Sequence, residues 1–348
     1  MKAIDVRLVA NQRERRVFLH FPWRVYRDDP LWIPPLLPER ARAMNPARGD
    51  WYSHGTADFF IAWRGNEPVG TVCAATDSHL SAFLDAPQCV FGFFECVDDD
   101  AVAAALFDHL QHWASQRGIR TLYGPFNLDY ENAYGVLIEG RDRPPALLCG
   151  HTPPYYRRFF EQHHFQPARG DNLAYERDLS DDAPELQRLA RLGDQIRARR
   201  NFTIRGADLQ HWQEEVDRVH TLLNQALAHL PDHVPWSRAA IESLVAPFLD
   251  IADPELILFA EAHGEPVGWL PGVPNLNEAF GKANGLRHPW DYARLWLALR
   301  KSTKCLTIKS VLVRPDYWDT GVAVLLFAEM VERARSRGYK WLDLSLTS

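Results

Sequence analysis

Glu95 closes an apolar run, Phe91-Gly92-Phe93-Phe94-Glu95, and the carboxylates of Asp98, Asp99 and Asp100 come just after it. A carboxylate near the end of a buried strand can act as a general base because burial raises its proton affinity, and the same place equally suits a structural carboxylate. Lys309, inside the second such run from Leu306 to Val313, has the same two readings. A different chemistry is offered by Trp318-Asp319-Thr320-Gly321-Val322-Ala323, a glycine-bearing turn at the head of an apolar helical stripe. The first turn of a helix leaves N–H groups unpaired and gathers positive potential, which suits an anion. The matching stretch after Glu95 begins with three aspartates, which favour the helix end but repel a phosphate.

The loop from Gly124 to Gly150 collects Asn127, Asp129, Glu131 and Tyr134 beyond a strand end, where ligands of α/β sheets usually sit. These four are candidates for lining a substrate; the alternative is that they satisfy the loop's own backbone. Fourteen histidines invite a metal reading. The pairs His109 with His112, His163 with His164 and His229 with His233 each lack a third ligand or a continuous helix, so no metal is expected. Phosphate-loop, nucleophile-elbow and His-Glu-x-x-His patterns do not occur, which withdraws support from kinase, hydrolase and zinc-protease chemistry.

These residues need elements to position them. A chain of 348 residues makes two domains or one large one, and 46% hydrophobic with 24% charged residues excludes a disordered or collagen-like chain. A net charge of −6 gives no global pull on nucleic acid or anionic lipid, so neither is an expected partner. Five cysteines without a Cys-x-x-Cys pair read as reduced. With a charged N-terminus and no stretch of about 18 apolar residues, the expected place is the cytoplasm.

The chain repeats itself. Phe60 to Gly70 and Phe259 to Gly268 both end in Glu-Pro-Val-Gly after an apolar run and a polar turn, and both read as hairpins. Positions 98–122 also align with 318–342 at an offset of 220, pairing Asp99, Val102, Ala103, Leu106, Phe107, Ala114, Arg117, Gly118 and Leu122 with identical residues. Each copy predicts strand, helix, strand, with the helix stripe at Val102, Leu106, Leu110 and Trp113 or at Val322, Leu326 and Met330. Each helix stops at Arg-Gly, where glycine can take the left-handed conformation. So long a period means two domains of one fold, expected at 1–180 and 181–348 with a seam near 179–200 and a helix capped by Asp181 or Asp182. That helix carries Arg188, Arg191, Arg197, Arg199 and Arg200 and reads as a solvated connector or, alternatively, as a phosphate or RNA contact. A segment at 286–301 with Trp290, Tyr292, Leu295, Trp296 and Leu299 predicts an amphipathic helix covering a cleft.

Hairpin, strand, Gly-x-Ala turn, helix and strand together resemble the core of the GNAT acyltransferases, and phrases such as Phe21 to Pro35, Gly124 to Asn127 and Pro153 to Tyr156 resemble a group of tandem GNAT-like bacterial proteins. The resemblance implies an α/β fold of two tandem GNAT-like domains with mixed sheets flanked by helices. It implies that two parallel strands splay to admit acetyl-CoA or another acyl-CoA, with the backbone of Val311 and Val313 facing the thioester. The turn at Trp318, Asp319, Thr320, Gly321, Val322 and Ala323 would hold the pyrophosphate. Gly321 and Ala323 match the family loop, whereas Trp318 stands where the family has Gln or Arg. Residues 152–165 resemble the family's late helix, with Phe160 at the position of its proton-donating tyrosine.

The first domain, on this resemblance, keeps the fold without the cofactor site and takes 171–178 as its closing strands. The second ends six residues after Leu342, so either its sheet is shortened or another segment completes it. A free edge there would favour self-association. The implied activity is N-acyl transfer to a small-molecule amine or peptide, with Glu95 and Lys309 as candidate catalytic groups. The alternative is a catalytically silent binding or interaction protein of the same fold.

Overall fold

The computed structural model describes residues 3–83, 85–128, 135–168, 170–180, 183–229, 235–246, 249 and 251–347. In chain order these form β1 (Ile4–Leu8), α1 (Gln12–His20), α2 (Pro22–Val25), α3 (Leu37–Ala43), the hairpin β2 (Gly55–Arg64) and β3 (Glu67–Asp77), and α4 (Ser78–Phe83). Next come β4 (Cys89–Cys96), α5 (Asp100–Ser115), β5 (Leu122–Tyr123), α6 (Tyr156–Gln162), β6 (Leu173–Asp178), α7 (Pro184–Arg199), β7 (Phe202–Gly206), α8 (Trp212–Leu227) and α9 (Arg238–Val245). A second hairpin, β8 (Ile257–Ala262) and β9 (Glu265–Pro274), precedes α10 (Asn277–Phe280), α11 (Pro289–Leu299), β10 (Cys305–Ile308), β11 (Leu312–Val313), α12 (Val322–Ser336) and β12 (Trp341–Thr347).

Two compact units result: residues 1–170 with 277–301, and residues 171–276 with 302–348. The first carries a sheet ordered β1-β2-β3-β4-β5; the second repeats that order as β7-β8-β9-β10-β12, with β11 also on β9. In each sheet the hairpin is antiparallel and the crossover pair, β4 with β5 or β10 with β12, is parallel. The duplication extends to irregularities. Both hairpins slip register at the same point, between Ala62 and Trp63 and between Ala260 and Glu261. Both crossover helices end in a glycine at positive φ, Gly118 at 71° and Gly338 at 83°. The next residue then bonds back into the last turn, Ile119 N–H to Ala114 and Tyr339 N–H to Ala334. Only glycine takes that φ without cost, and the motif satisfies carbonyls the helix leaves unpaired.

Each sheet is covered on both faces, as a sheet with two apolar faces requires. In the first unit Val102, Leu106 and Leu110 of α5 pack with Phe159 of α6 on one face, and Phe18 of α1 packs with Phe59 and Phe93 on the other. In the second, Val322, Leu326 and Met330 of α12 join Leu186 of α7 on one face, and Val219 and Leu222 of α8 join Phe259 and Ile241 on the other.

Three expectations are corrected. The seam is not at 180: the segment from Asn277 to Lys301, although late in the chain, belongs to the first unit. Asn277 anchors it by donating to the carbonyls of Pro145 and Ala146, and Trp23 does so by donating its indole N–H to Asn284. The phrase from Phe21 to Pro35 thereby acquires a structural role. Strand 173–178 does not close the first sheet. It is β6, antiparallel to β12 from Trp341↔Asp178 to Thr347↔Leu173, and it is the other segment that completes the second sheet. The run 306–313 is two strands, β10 and β11, with 309–311 between them. The residues proposed to cap α7, Asp181 and Asp182, lie outside those described; its cap is Ala183, with Pro184 in the first helical position. All five cysteines are free thiols, and among the described residues no helix is long and apolar enough to cross a membrane.

Candidate functional site

In the second unit β10 and β12 run parallel in register from Cys305↔Trp341 to Ile308↔Leu344, and there the pairing stops. Beyond it β12 stays with β6, while β11 stays with β9 through Leu312↔Trp269 and Val313↔Gly268. The two strands therefore part at Lys309, the residue that follows the last pair. Because Arg314 N–H bonds the Val267 carbonyl, strand alternation turns the N–H and C=O of Val313 away from β9 toward the side where the strands part. One side chain among the described residues reaches Val313 there by a hydrogen bond: the Trp318 indole N–H donates to its carbonyl at 2.9 Å. The indole is 51% exposed and lies edge-on to His229.

The helix behind this opening starts bare. Its N-cap, Gly321, has φ 88°, there is no side-chain cap, and no acid lies in the first turn. A Cβ on Gly321 would stand 2.7 Å from Ile196 Cδ1 of α7, a side-chain tip that can give way, so it is the positive φ that favours glycine here. Thr320 bonds backward to the Tyr317 carbonyl and leaves the helix amides to face outward. Uncapped N–H groups with the dipole behind them form a ready anion site.

The equivalent place in the first unit is filled at every point. Asp99 caps α5 through Ala101 N–H and pairs with Arg64, and Arg158 bridges Asp98 and Asp100 at 2.6 and 3.1 Å. Burial alone would raise the Asp99 carboxyl, but hydrogen bonds from Arg64 and from the backbone hold it below the usual range. The edge of β4 beyond its short pairing with β5 is also taken. Phe126 N–H bonds the Phe91 carbonyl. The Asn127 side chain accepts from Phe93 N–H, and Cys96 gives its N–H to Tyr156 and its carbonyl to Tyr155.

Glu95 lies within this sealed unit. It is 8% exposed, accepts from the Tyr156 hydroxyl at 3.0 Å and has Arg40 at 3.9 Å. Burial pushes its carboxyl up against the opposing pull of Arg40 and Tyr156. Lys309 is half-buried in the other unit, so the two candidate catalytic residues belong to different units. Of the candidate substrate-lining residues, Asn127 is used by β4, and Asp129, Glu131 and Tyr134 lie outside the described residues. Phe160 is packed against Phe94 and Phe107, and the neighbouring hydroxyls come from Tyr155 and Tyr156 instead.

Two polar groupings escaped the sequence because their members are distant along the chain. His151, with a side chain 5% exposed, bonds Asp29 at 2.7 Å. His54, Asp77 and His79 bring one ligand atom each within 4.8 Å of one another, while His233, one of the histidines weighed above, lies outside the described residues. Asp77 there accepts from His54 and from the backbone N–H groups of His79 and Leu80, the pattern of a cap on the turn into α4.

Comparison with known proteins agrees with this fold. The model of the acetyltransferase (GNAT) family matches residues 217–347, from α8 through β12. A bacterial ceramide synthase of Caulobacter vibrioides is 30% identical over 347 residues, covering 97% of this chain and 88% of the relative. The chain belongs to the GNAT family. Protein YghO of Escherichia coli is 28% identical, with 95% of this chain and 84% of that protein covered. A GCN5-related N-acetyltransferase of Sphaerobacter thermophilus has the same fold, with a TM-score of 0.53 at 14% identity over 99% of this chain and 87% of its own. GNAT membership makes acyl transfer the coarse activity.

Proposed function

We propose that the protein is an acyl-CoA-dependent N-acyltransferase whose second unit binds the thioester in the opening between β11 and β12. The observation that carries this is the conjunction of a parted strand pair with a bare helix start directly behind it. The backbone of Val311 and Val313 faces the acyl-pantetheine arm, and the amides of Val322 and Ala323 face the pyrophosphate. The acyl thioester supplies the electrophile: an amine attacks its carbonyl carbon, a C–N bond forms, the C–S bond breaks, and the amine's proton leaves with the thiol. A ceramide is a fatty amide of a long-chain amino alcohol, so likeness to a ceramide synthase favours a long-chain acyl donor and an amino-alcohol acceptor. Lys309, at the point where the strands part, is the candidate polar group beside the carbonyl; Glu95, held by Arg40 and Tyr156 in the first unit, is better suited to shaping that unit.

The test is calorimetric titration of the whole chain with acetyl-CoA and with a long-chain acyl-CoA. Thr320→Asp copies into the second unit the carboxylate that Asp100 places in the first, and an acid there suits the helix, so folding is preserved. Expected is saturable binding by the natural chain and a loss of about tenfold or more, equivalent to about 1.4 kcal/mol, in the variant. Absence of binding at millimolar ligand favours the silent alternative, for which the Trp318 bond to Val313 and Asp319 beside the turn are the supporting observations.

A further inference from the structure

The segment 277–301 leaves unit 1 with a helix that is almost unburied. Its first half is locked down: besides the Asn277 and Trp23 bonds, Gly285 at φ 67° lets the chain pass so close to Trp23 that a Cβ would meet the ring at 2.5 Å. Arg287 then lies over the same ring, 5.0 Å from its centroid. Helix α11 begins with a reciprocal capping box between His288 and Asp291, and Asp291 is fully buried. From there only the line Asp291, Leu295 and Ala298 is turned even partly inward. Trp290, Tyr292, Trp296, Leu297 and Leu299 stand 47 to 57% exposed on the rest of the helix.

A rigidly mounted helix that holds five large apolar side chains in water is costly unless something covers it. Charge identifies the cover. Arg287, Arg294, Arg300 and Lys301 are exposed around this helix, against two carboxylates of the same segment: Asp291, buried and paired with Arg294, and Glu278, exposed on α10. In a chain of net charge −6 this is a local reversal of sign. Arg300 lies flat on Trp296, 3.5 Å from its centroid, so cation and apolar ring share one surface. Tryptophan, tyrosine and leucine on an exposed helix with a basic rim is the composition that settles at the boundary between lipid headgroups and acyl chains.

We propose that α11 is an interfacial helix that docks the protein on an anionic phospholipid bilayer, with the two tryptophans and the leucines entering the acyl boundary and the arginines meeting the headgroups. Neither the vesicle contact nor its test depends on acyl transfer. The whole chain is spun with sucrose-loaded vesicles of phosphatidylcholine, with and without about a third phosphatidylglycerol. Expected is capture by the anionic vesicles, weakened by salt, with at least a roughly tenfold loss of affinity in Trp290→Ser/Trp296→Ser at an unchanged far-ultraviolet circular dichroism spectrum. Leu8→Ser, which removes an exposed leucine elsewhere in the unit, is expected to pellet like the natural chain. The proposal is overturned if the natural chain stays in the supernatant, if the double variant pellets equally, or if light scattering shows a dimer that the double variant dissolves.

Discussion

Tyr156 meets two demands with one hydroxyl, accepting from Cys96 N–H and donating to Glu95. Removing it leaves a buried amide and a buried carboxylate short of a partner, so Tyr156→Phe is expected to cost about 1–3 kcal/mol in urea denaturation. The pH dependence has a definite sign. The folded chain holds the Glu95 proton to higher pH than the unfolded chain, so this group's favourable contribution is complete below the ordinary glutamate range and is lost as pH rises through the raised value. The phenylalanine variant, deprived of a donor to the carboxylate, should therefore fall further below the natural chain as pH rises; a penalty constant with pH would contradict the role given to the hydroxyl. At Trp318, substitution by phenylalanine keeps a ring beside His229 and removes the bond to Val313, for an expected loss of about 0.5–1.5 kcal/mol.

At the scale of elements, two helices of one ancestry present opposite ends. Helix α5 is closed by Asp99, and Asp99→Ala is expected to cost about 1 kcal/mol at neutral pH. Because that carboxyl is held low, the difference from the natural chain should shrink as pH falls through its depressed value, which a series of denaturation curves would record. Helix α12 has no cap to lose. Strand β6 is the other decisive element: Tyr175→Pro removes a donor from the ladder that faces β12, and hydrogen exchange should show the β12 amides losing protection. Unchanged protection would mean that the edge is closed by something else.

For the whole molecule, the exchange of segments makes the two units interdependent in sequence. A cut at 180/181 carries β6 away from the second sheet and takes 277–301 away from the first. The separate halves are expected to lack the cooperative thermal transition of the intact chain by circular dichroism, and a half comprising 181–348 that melted like the whole would refute this. The tandem α/β GNAT architecture was legible beforehand because it rests on local signals: Glu-Pro-Val-Gly hairpins, the stripe Val322, Leu326 and Met330, and Arg-Gly stops at 117–118 and 337–338. Gly321 was singled out by its match to the family loop, and its positive φ was shown by the structure.

Which strand closes which sheet was not legible. Leu173 to Asp178 has the same composition whether it pairs with β5 or with β12, and only the unpaired edge waiting at β12 decides the partner. The same holds for Glu95: sequence puts a carboxylate at the end of a strand, but Arg40 and Tyr156, 55 residues before it and 61 after, make it a buried, hydrogen-bonded group. Local residue types set the periodicity, turns and caps of this chain through short-range sterics and hydrogen bonds. The partners across the sheets and the uncovered face of α11 came from long-range packing, which no window of sequence contains.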